Sequence, residues 1–327
     1  MAEKGSSAPS YRGVTAAVLG ASGFIGRWVV RALVARDAKV VLVVRSASSA
    51  ADAGLGDGAQ GTVVRADLSR DNAVREVIAS SRPAVVFNLA GYGVDRGERD
   101  EHAAYVINAE LPERIVEALA EQRDSTWGGQ QLVHVGSALE YGEIDGNLSE
   151  TSVPNPTTLY GQSKLAGTLA VMRACGELGV RGITARLFTV YGDGEHAQRL
   201  LPTLIAAVCD EKPIALSAGE QRRDFTYVED VAEGLLRLGL VRSAGSGEIV
   251  NLATGRLTPV RSFVEETARA VGISSSRLKF GALPTRAEEM QHDPVSVEKL
   301  RAMLGWVPSR SLHEGIELAA RRLPGTA

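Results

Sequence analysis

The chain has 327 residues, 44% hydrophobic and 23% charged, which is ordinary for a globular enzyme and long enough for one large α/β unit plus a smaller lobe. A formal net charge of −3 gives no electrostatic reason to expect nucleic acid or an anionic membrane as partner, and no apolar run is long enough to span a bilayer. Two cysteines, Cys175 and Cys209, build no disulfide framework; both read as buried thiols in helices, which fits a reducing cytoplasm.

Residues 1–12 read as a disordered tail without the apolar core of a signal peptide. An apolar strand at 16–19 then runs into Gly20, Gly23 and Gly26 and passes into a helix at 24–35. A parallel strand turning sharply into a helix needs a residue without a side chain at Gly20. Close backbone approach of a diphosphate needs Gly23, and packing of helix on strand favours Gly26. The helix N-terminus offers unpaired N–H groups and a partial positive charge to the anion. Gly20, Ser22, Gly23, Phe24, Ile25 and Gly26 are therefore the candidate cradle of a dinucleotide, because the turn sits between a strand and a helix.

Residues 39–44 form a continuous apolar run, as expected of a strand buried on both faces of a parallel sheet. Val44 ends it, Arg45 follows, and 46–61 reads as a Gly-rich surface loop. A strand at 62–65 carries Asp67 and Leu68 past its carboxyl end; a helix at 71–81 leads to a strand at 84–88, which ends in Asn88, Leu89, Ala90 and Gly91. Residues 100–122 place Tyr105, Ile107, Leu111, Ile115 and Leu119 at helical spacing, with Pro112 as a tolerated kink. A strand at 131–135 ends in Gly136-Ser137-Ala138-Leu139-Glu140-Tyr141-Gly142, and a polar loop precedes a helix at 160–178 and a strand at 182–187. This alternation predicts an α/β fold, a doubly wound parallel sheet of the Rossmann type. Beyond 188 the pattern loosens. The expected organisation is a dinucleotide-binding domain at 13–188, with 224–254 returning to it, and a smaller C-terminal substrate-binding lobe from 189–223 and 255–327.

Tyr160 and Lys164 lie one helical turn apart on the same face, so the ammonium can stand near the phenol and favour phenolate. A phenol poised in this way exchanges a proton with a carbonyl or alcohol oxygen. Taken alone the pair is also what a solvated helix face looks like. Ser137 adds weight, because it lies just past a strand's carboxyl end, where ligands gather in open α/β sheets, and its hydroxyl can hold the same oxygen.

With these residues in view the chain resembles the extended short-chain dehydrogenase/reductase family, in its NDP-sugar epimerase, dehydratase and reductase branch. The markers run over 14–322: the Gly20 to Gly26 turn, Asp67-Leu68, Asn88-Leu89-Ala90-Gly91, Asn108, the 137–142 segment, Tyr160 with Lys164, Arg186-Leu-Phe-Thr-Val-Tyr-Gly192, the segment from Arg223, and Leu304-Gly-Trp-Val-Pro308. The resemblance implies that Tyr160 is the general acid/base, that Lys164 holds the nicotinamide ribose and lowers the tyrosine pKa, and that Ser137 orients the substrate oxygen. Asn108 joins them in the catalytic set. Asp67 and Leu68 would flank the adenine, Leu89, Ala90 and Gly91 would line the cofactor, and Arg223 and Arg286 would grip a sugar nucleotide's diphosphate with their planar forks. It also implies a homodimer through helices at 100–122 and 160–178, whose apolar faces read equally well as core.

Members that take NAD carry an acid at the end of the second strand. Here Val44 stands there and Arg45 follows, placed to pair with a 2′-phosphate, with Arg27 directly after the last glycine. This predicts NADP(H) over NAD(H), and net reduction over epimerisation. Dehydratases of the family place an Asp-Glu pair after the catalytic Ser or Thr, where this chain has Ala138 and Leu139. Glu140 lies one position further, open to packing or to a substrate hydroxyl, and Thr189 replaces the Asn of many epimerases. The expected activity is NADPH-dependent reduction of a nucleotide-linked 4-keto-6-deoxyhexose by a cytoplasmic enzyme. The alternatives are an NDP-sugar 4-epimerase with bound NAD, a reductase of an apolar ketone, and a non-catalytic NADP sensor. The five histidines are scattered, so no metal site is expected.

Overall fold

A computed structural model describes residues 10–46, 61–94, 97–122, 126–144, 146–242, 247–284 and 294–321. In chain order it forms β1 (Thr15–Leu19), α1 (Phe24–Val34), β2 (Lys39–Val44), β3 (Gly61–Arg65), α2 (Ala73–Ser81), β4 (Val85–Asn88), α3 (Glu101–Tyr105), α4 (Leu111–Glu121), β5 (Leu132–Ser137), α5 (Leu159–Leu178) and β6 (Gly182–Leu187). There follow β7 (Thr189–Tyr191), α6 (Leu200–Ala206), β8 (Ile214–Leu216), β9 (Arg222–Tyr227), α7 (Val228–Gly239), β10 (Glu248–Leu252), β11 (Leu257–Pro259), α8 (Val260–Val271), β12 (Leu278–Phe280), α9 (Glu298–Leu304) and α10 (Leu312–Arg321).

Seven strands form one sheet in the order β10-β6-β5-β4-β1-β2-β3. β1 runs parallel to β2 on one side and to β4 on the other, so the winding reverses between β1 and β4, where such sheets leave a ligand crevice at the strands' carboxyl ends. The Rossmann-type doubly wound sheet expected from the alternation is therefore present. β2, an inner strand between β1 and β3, is apolar and buried at every position after Lys39, as expected in a parallel sheet.

The chain folds into two compact units. The first holds Met1–Gly136, Gln162–Ala185 and Leu235–Val250; the second holds Ser137–Gly161, Arg186–Gly234 and Asn251–Ala327. The boundaries cut through β5, α5, β6, α7 and β10, so neither unit is one stretch of chain. Residues 137–161, assigned to the nucleotide domain by pattern, group with the second unit.

In the first unit Ala17, Leu19, Val41 and Val43 of the sheet share a core with Val77 and Ile78 of α2, Ile115 and Leu119 of α4, and Val171 and Cys175 of α5. Each Val, Leu or Ile among them contributes about 1.5–3 kcal/mol by leaving water. In the second unit an aromatic cluster adds to buried aliphatic side chains such as Leu204, Val264 and Ile316. Phe225 stacks on Phe263 with centroids 4.3 Å apart, and Tyr191 meets Phe263 edge-on at 5.2 Å.

Three expectations are corrected. The tail drawn through residue 12 ends sooner, because Tyr11 is buried, its ring against Phe87 and Trp127 and its hydroxyl donating to the Leu236 carbonyl at 2.7 Å. Cys209 is exposed at the end of a short turn after α6, while Cys175 is buried and its thiol pushed up to about 12 by that burial. The helix read over 100–122 is interrupted by a π-helical turn at Val106–Glu110, where the Leu111 N–H donates to the Val106 carbonyl five residues back. Pro112 has no N–H to offer the Asn108 carbonyl, so the α-helical ladder fails there and a wider turn takes its place. The loop expected at 46–61 lies largely outside the described residues, as does Arg286.

Candidate active site

In the first unit the glycine turn is built as a backbone cradle. Gly20 has φ +75°, and a Cβ there would lie 3.0 Å from the Ala90 N and the Leu89 carbonyl, so the 89–91 segment crosses the turn where a side chain would stand. A Cβ on Gly26 would lie 2.1 Å from the Gly20 carbonyl oxygen, a clash no small shift relieves. Gly23 is the N-cap of α1 and places no side chain on the helix's first N–H groups, while Ser22, Phe24 and Ile25 are half-buried beside it. An 11-residue helix whose N-cap is a glycine with no side-chain cap fits a dinucleotide diphosphate. At the strand ends beyond, Val44 is buried and Arg45 exposed. Leu68 is half-buried. Asp67 accepts from the Ser69 hydroxyl at 2.7 Å and from its N–H at 3.1 Å. Those bonds hold the Asp67 carboxyl below its usual range, with Arg70 and Arg45 adding to the effect.

The same unit carries Asn108 and Lys164. Asn108 is buried in the π turn; its Oδ1 accepts from the Tyr92 N–H at 3.0 Å, and its Nδ2 donates to the Tyr92 carbonyl at 2.8 Å and to Ser163 Oγ at 2.9 Å. Asn108 thus ties the segment after Gly91 to α5. It holds the frame, with both ends of the amide engaged by protein groups. A Cβ on Gly167 would lie 1.9 Å from the Asn108 carbonyl oxygen, so α5 packs against the π turn only because position 167 is glycine. Lys164 is 2% exposed, and its Nζ donates to the Val135 carbonyl at 2.5 Å. His134 lies within 3.0 Å of Asn88 through Nδ1 and Nδ2, and burial first, then the Lys164 charge, pushes it well below the usual histidine range. Both effects favour the neutral imidazole, which meets Asn88 as a hydrogen-bonding group.

In the second unit Ser137 ends β5 and caps a single turn at Ala138–Glu140. Its Oγ accepts from the Leu139 N–H at 3.2 Å, and its own N–H donates to Glu140 Oε1 at 2.8 Å. A Cβ on Gly161 would lie 2.3 Å from the Leu139 carbonyl oxygen, so the first turn of α5, which carries Tyr160, packs directly on the Ser137 turn. Backbone bonds from Asn155 to Tyr141 and from Glu143 to Asn155 fold the intervening loop back onto this segment. Tyr160 is half-buried there, and Lys164 lies one turn further along the same helix. Thr189 begins β7 and Arg223 lies on β9, both half-buried, with Arg223 Nη1 donating to the Arg222 carbonyl.

Several residues that hold this site escaped the sequence reading. Gly161, Gly167 and Ser163 carry no signal in the sequence that sets them apart from other positions of a helix. Asp224 is wholly buried and accepts from the Thr254 N–H and hydroxyl and the Arg256 N–H, anchoring the turn after β10. Burial nonetheless raises its pKa. Among the described residues no group of three His, Cys, Asp or Glu is arranged to hold a metal ion.

A seven-stranded parallel sheet, a glycine cradle at its winding reversal and a Tyr and Lys one turn apart on α5 define an NAD(P)-dependent oxidoreductase fold. The model of the NAD dependent epimerase/dehydratase family matches residues 16–253, and the chain belongs to that family, the extended short-chain dehydrogenase/reductases. It is 29% identical over 317 residues to a dTDP-6-deoxy-L-talose 4-dehydrogenase (NAD(P)(+)) of Kitasatospora kifunensis, covering 94% of this chain and 95% of that one. It is 28% identical over 266 residues to a dTDP-4-dehydrorhamnose reductase of Streptomyces griseus, covering 80% and 78%. Among solved structures, MoeE5 in complex with UDP-glucuronic acid and NAD is 28% identical with a TM-score of 0.80, covering 94% of this chain and 98% of that one.

Proposed function

We propose that this enzyme reduces the keto group of a nucleotide-linked 4-keto-6-deoxyhexose at the expense of NADPH. The observation that carries the reading is the end of β2. Val44 is buried and offers no acceptor to ribose hydroxyls, while the exposed Arg45 guanidinium supplies the charge that a 2′-phosphate needs. Ala138 and Leu139 after Ser137 supply no acid or base for loss of water. The talose dehydrogenase and dehydrorhamnose reductase relatives are oxidoreductases of deoxysugar nucleotides by name, in line with this.

Gly20, Gly23 and Gly26 with Leu89, Ala90 and Gly91 would hold the dinucleotide, and Asp67 and Leu68 its adenine. When bound, the nicotinamide supplies the hydride. Ser137 Oγ already accepts from Leu139, so its own proton is available to the keto oxygen. Tyr160 donates the proton that completes the alcohol, and the Lys164 cation favours the phenolate left behind. Thr189 and Arg223, with Arg286, take the sugar nucleotide. Asn108, expected in the catalytic set, acts instead as a positioning residue that secures Ser163, next to Lys164. We assign the protein to the cytoplasm as a homodimer through the helices at 100–122 and 160–178; Leu169 on α5 is 52% exposed. No described helix is long and apolar enough to cross a membrane.

The test is loss of NADPH absorbance against thymidine-, cytidine- and guanosine-linked keto sugars. Consumption with one of them supports the reading. The second reading is a 4-epimerase with resident NAD, favoured by the NAD in MoeE5. Stoichiometric NAD released on denaturation, with no NADPH consumption, would establish it instead.

A further inference from the structure

Glu140 follows Ser137 by three residues, and its side chain is wholly buried. A three-residue turn has too few hydrogen bonds to hold its own shape. This one is closed at both ends by a reciprocal pair: the Leu139 N–H donates to Ser137 Oγ, and the Ser137 N–H donates to Glu140 Oε1 at 2.8 Å. On a surface helix the carboxylate of such a pair would be hydrated. Here Arg186 Nε donates to Glu140 Oε2 at 2.8 Å, and the two side chains are 2% and 0% exposed. Arg186 is fixed in turn, its guanidinium 4.4 Å from the Tyr141 ring centroid. The Tyr141 hydroxyl donates to Asn251 Oδ1 at 2.7 Å, and Asn251 Nδ2 donates to the carbonyls of Leu148 and Ser296.

A buried ion pair is poor evidence of stabilisation, because desolvation of both charges offsets most of their attraction and apolar residues of equal volume often serve as well. Its position beneath Ser137 calls for another reason. Both Glu140 oxygens are engaged by protein groups and none of the side chain is exposed, so it neither touches a substrate hydroxyl nor exchanges a proton with one. What it does control is Ser137. A hydroxyl has one proton and two lone pairs. While the turn holds its form, Leu139 occupies a lone pair, and the proton is left to point outward.

We propose that Glu140, locked by Arg186, is a positioning residue that fixes the Ser137 hydroxyl as a hydrogen-bond donor toward the reacting oxygen. The identity of that oxygen rests on the reductase reading; the role of Glu140 does not.

The test is a double-mutant cycle on the full chain, read on whichever turnover the wild type supports, NADPH consumption or 4-epimerisation of a nucleotide sugar. Glu140→Gln is expected to lower kcat by about 10- to 100-fold, since it disturbs one donor to a developing oxyanion, while the dissociation constant for the dinucleotide stays unchanged. In a Ser137→Ala background the same substitution is expected to cost less than about twofold, because its effect runs through Ser137. An undiminished cost in that background, or wild-type kcat in Glu140→Gln, overturns the proposal. Glu140→Gln alone leaves the Arg186 charge buried; Glu140→Gln with Arg186→Met removes both charges, and if the single variant does not fold this one enters the cycle. A reading independent of turnover is amide hydrogen exchange in the unliganded protein. Protection lost at Ser137 and Leu139 but kept in the β5 core supports the role, and unchanged protection overturns it. Absence of NADPH consumption would remove the reductase reading and leave this result standing.

Discussion

The proposed dinucleotide cradle of the first unit is shaped by backbone, whereas the Ser137 turn of the second rests on a buried ion pair. The cradle works by what is missing: Gly20 and Gly26 leave room for the 89–91 segment and for the Gly20 carbonyl, and the N-cap of α1 is a glycine with no side-chain cap. The turn works by what is added, since Glu140 closes it from below and Arg186, 46 residues further along the chain, holds Glu140. A site built from absent side chains tolerates almost no addition. A site built from paired charges tolerates loss of neither partner alone. The two regions should therefore fail in different ways.

The largest effect is expected where the chemistry is. Tyr160→Phe should lower kcat by about 10³-fold, within the range for loss of a general acid, with NADPH binding within twofold of wild type by fluorescence titration. Retained turnover would take Tyr160 out of the mechanism. Gly26→Ala should fail the other way. The added methyl is driven against the Gly20 carbonyl, at about 1–3 kcal/mol, and calorimetry should show dinucleotide affinity falling by about 10- to 100-fold. Equal affinity would mean the cradle relaxes in a way its backbone gives no sign of.

Arg45→Ala sharpens the comparison within the first unit. NADPH should bind about tenfold more weakly, from loss of one charge-assisted contact, while NADH changes by less than about twofold. Equal losses would place the 2′-phosphate elsewhere. The smallest effect concerns a second buried carboxylate of the second unit. Glu195 pairs with the exposed Arg199 through Oε1 at 3.3 Å, its Oε2 has no partner, and burial pushes its pKa up from 4.5 to about 7. A carboxyl raised in this way favours the folded state at low pH, and that contribution is lost as pH rises from 4.5 to about 7. Glu195→Gln should therefore leave Tm unchanged at acid pH and raise it by a few degrees above neutrality, for about 1–3 kcal/mol. Identical melting curves across the range would show that the group is hydrated in solution.

The seven-stranded sheet and its cradle were legible early for a local reason. The run after Lys39 is apolar as far as Val44, as a strand buried in a parallel sheet requires, and β2 occupies 39–44; β6 falls on the expected 182–187 although it carries Thr184 and Arg186. The glycines announced their turn by spacing together with the strand before them and the helix after. The helix over 100–122 was misread where it mattered, since a single Pro112 reads as a kink and nothing in the apolar spacing reveals a π turn that buries Asn108.

By itself the sequence determined which segments become strands and helices, where the chain can turn without a side chain, and that Tyr160 and Lys164 share a helical face. Each is a property of neighbours a few residues apart. Only the tertiary structure decided that Glu140 is buried against Arg186, that Asn108 reaches Ser163 55 residues away, that Asp224 anchors the turn at Thr254, and that Tyr11 belongs to the core. The reason is physical. An isolated charged or amide side chain looks the same in sequence whether it ends in water or in the interior, and its fate is set by a partner that the fold alone delivers.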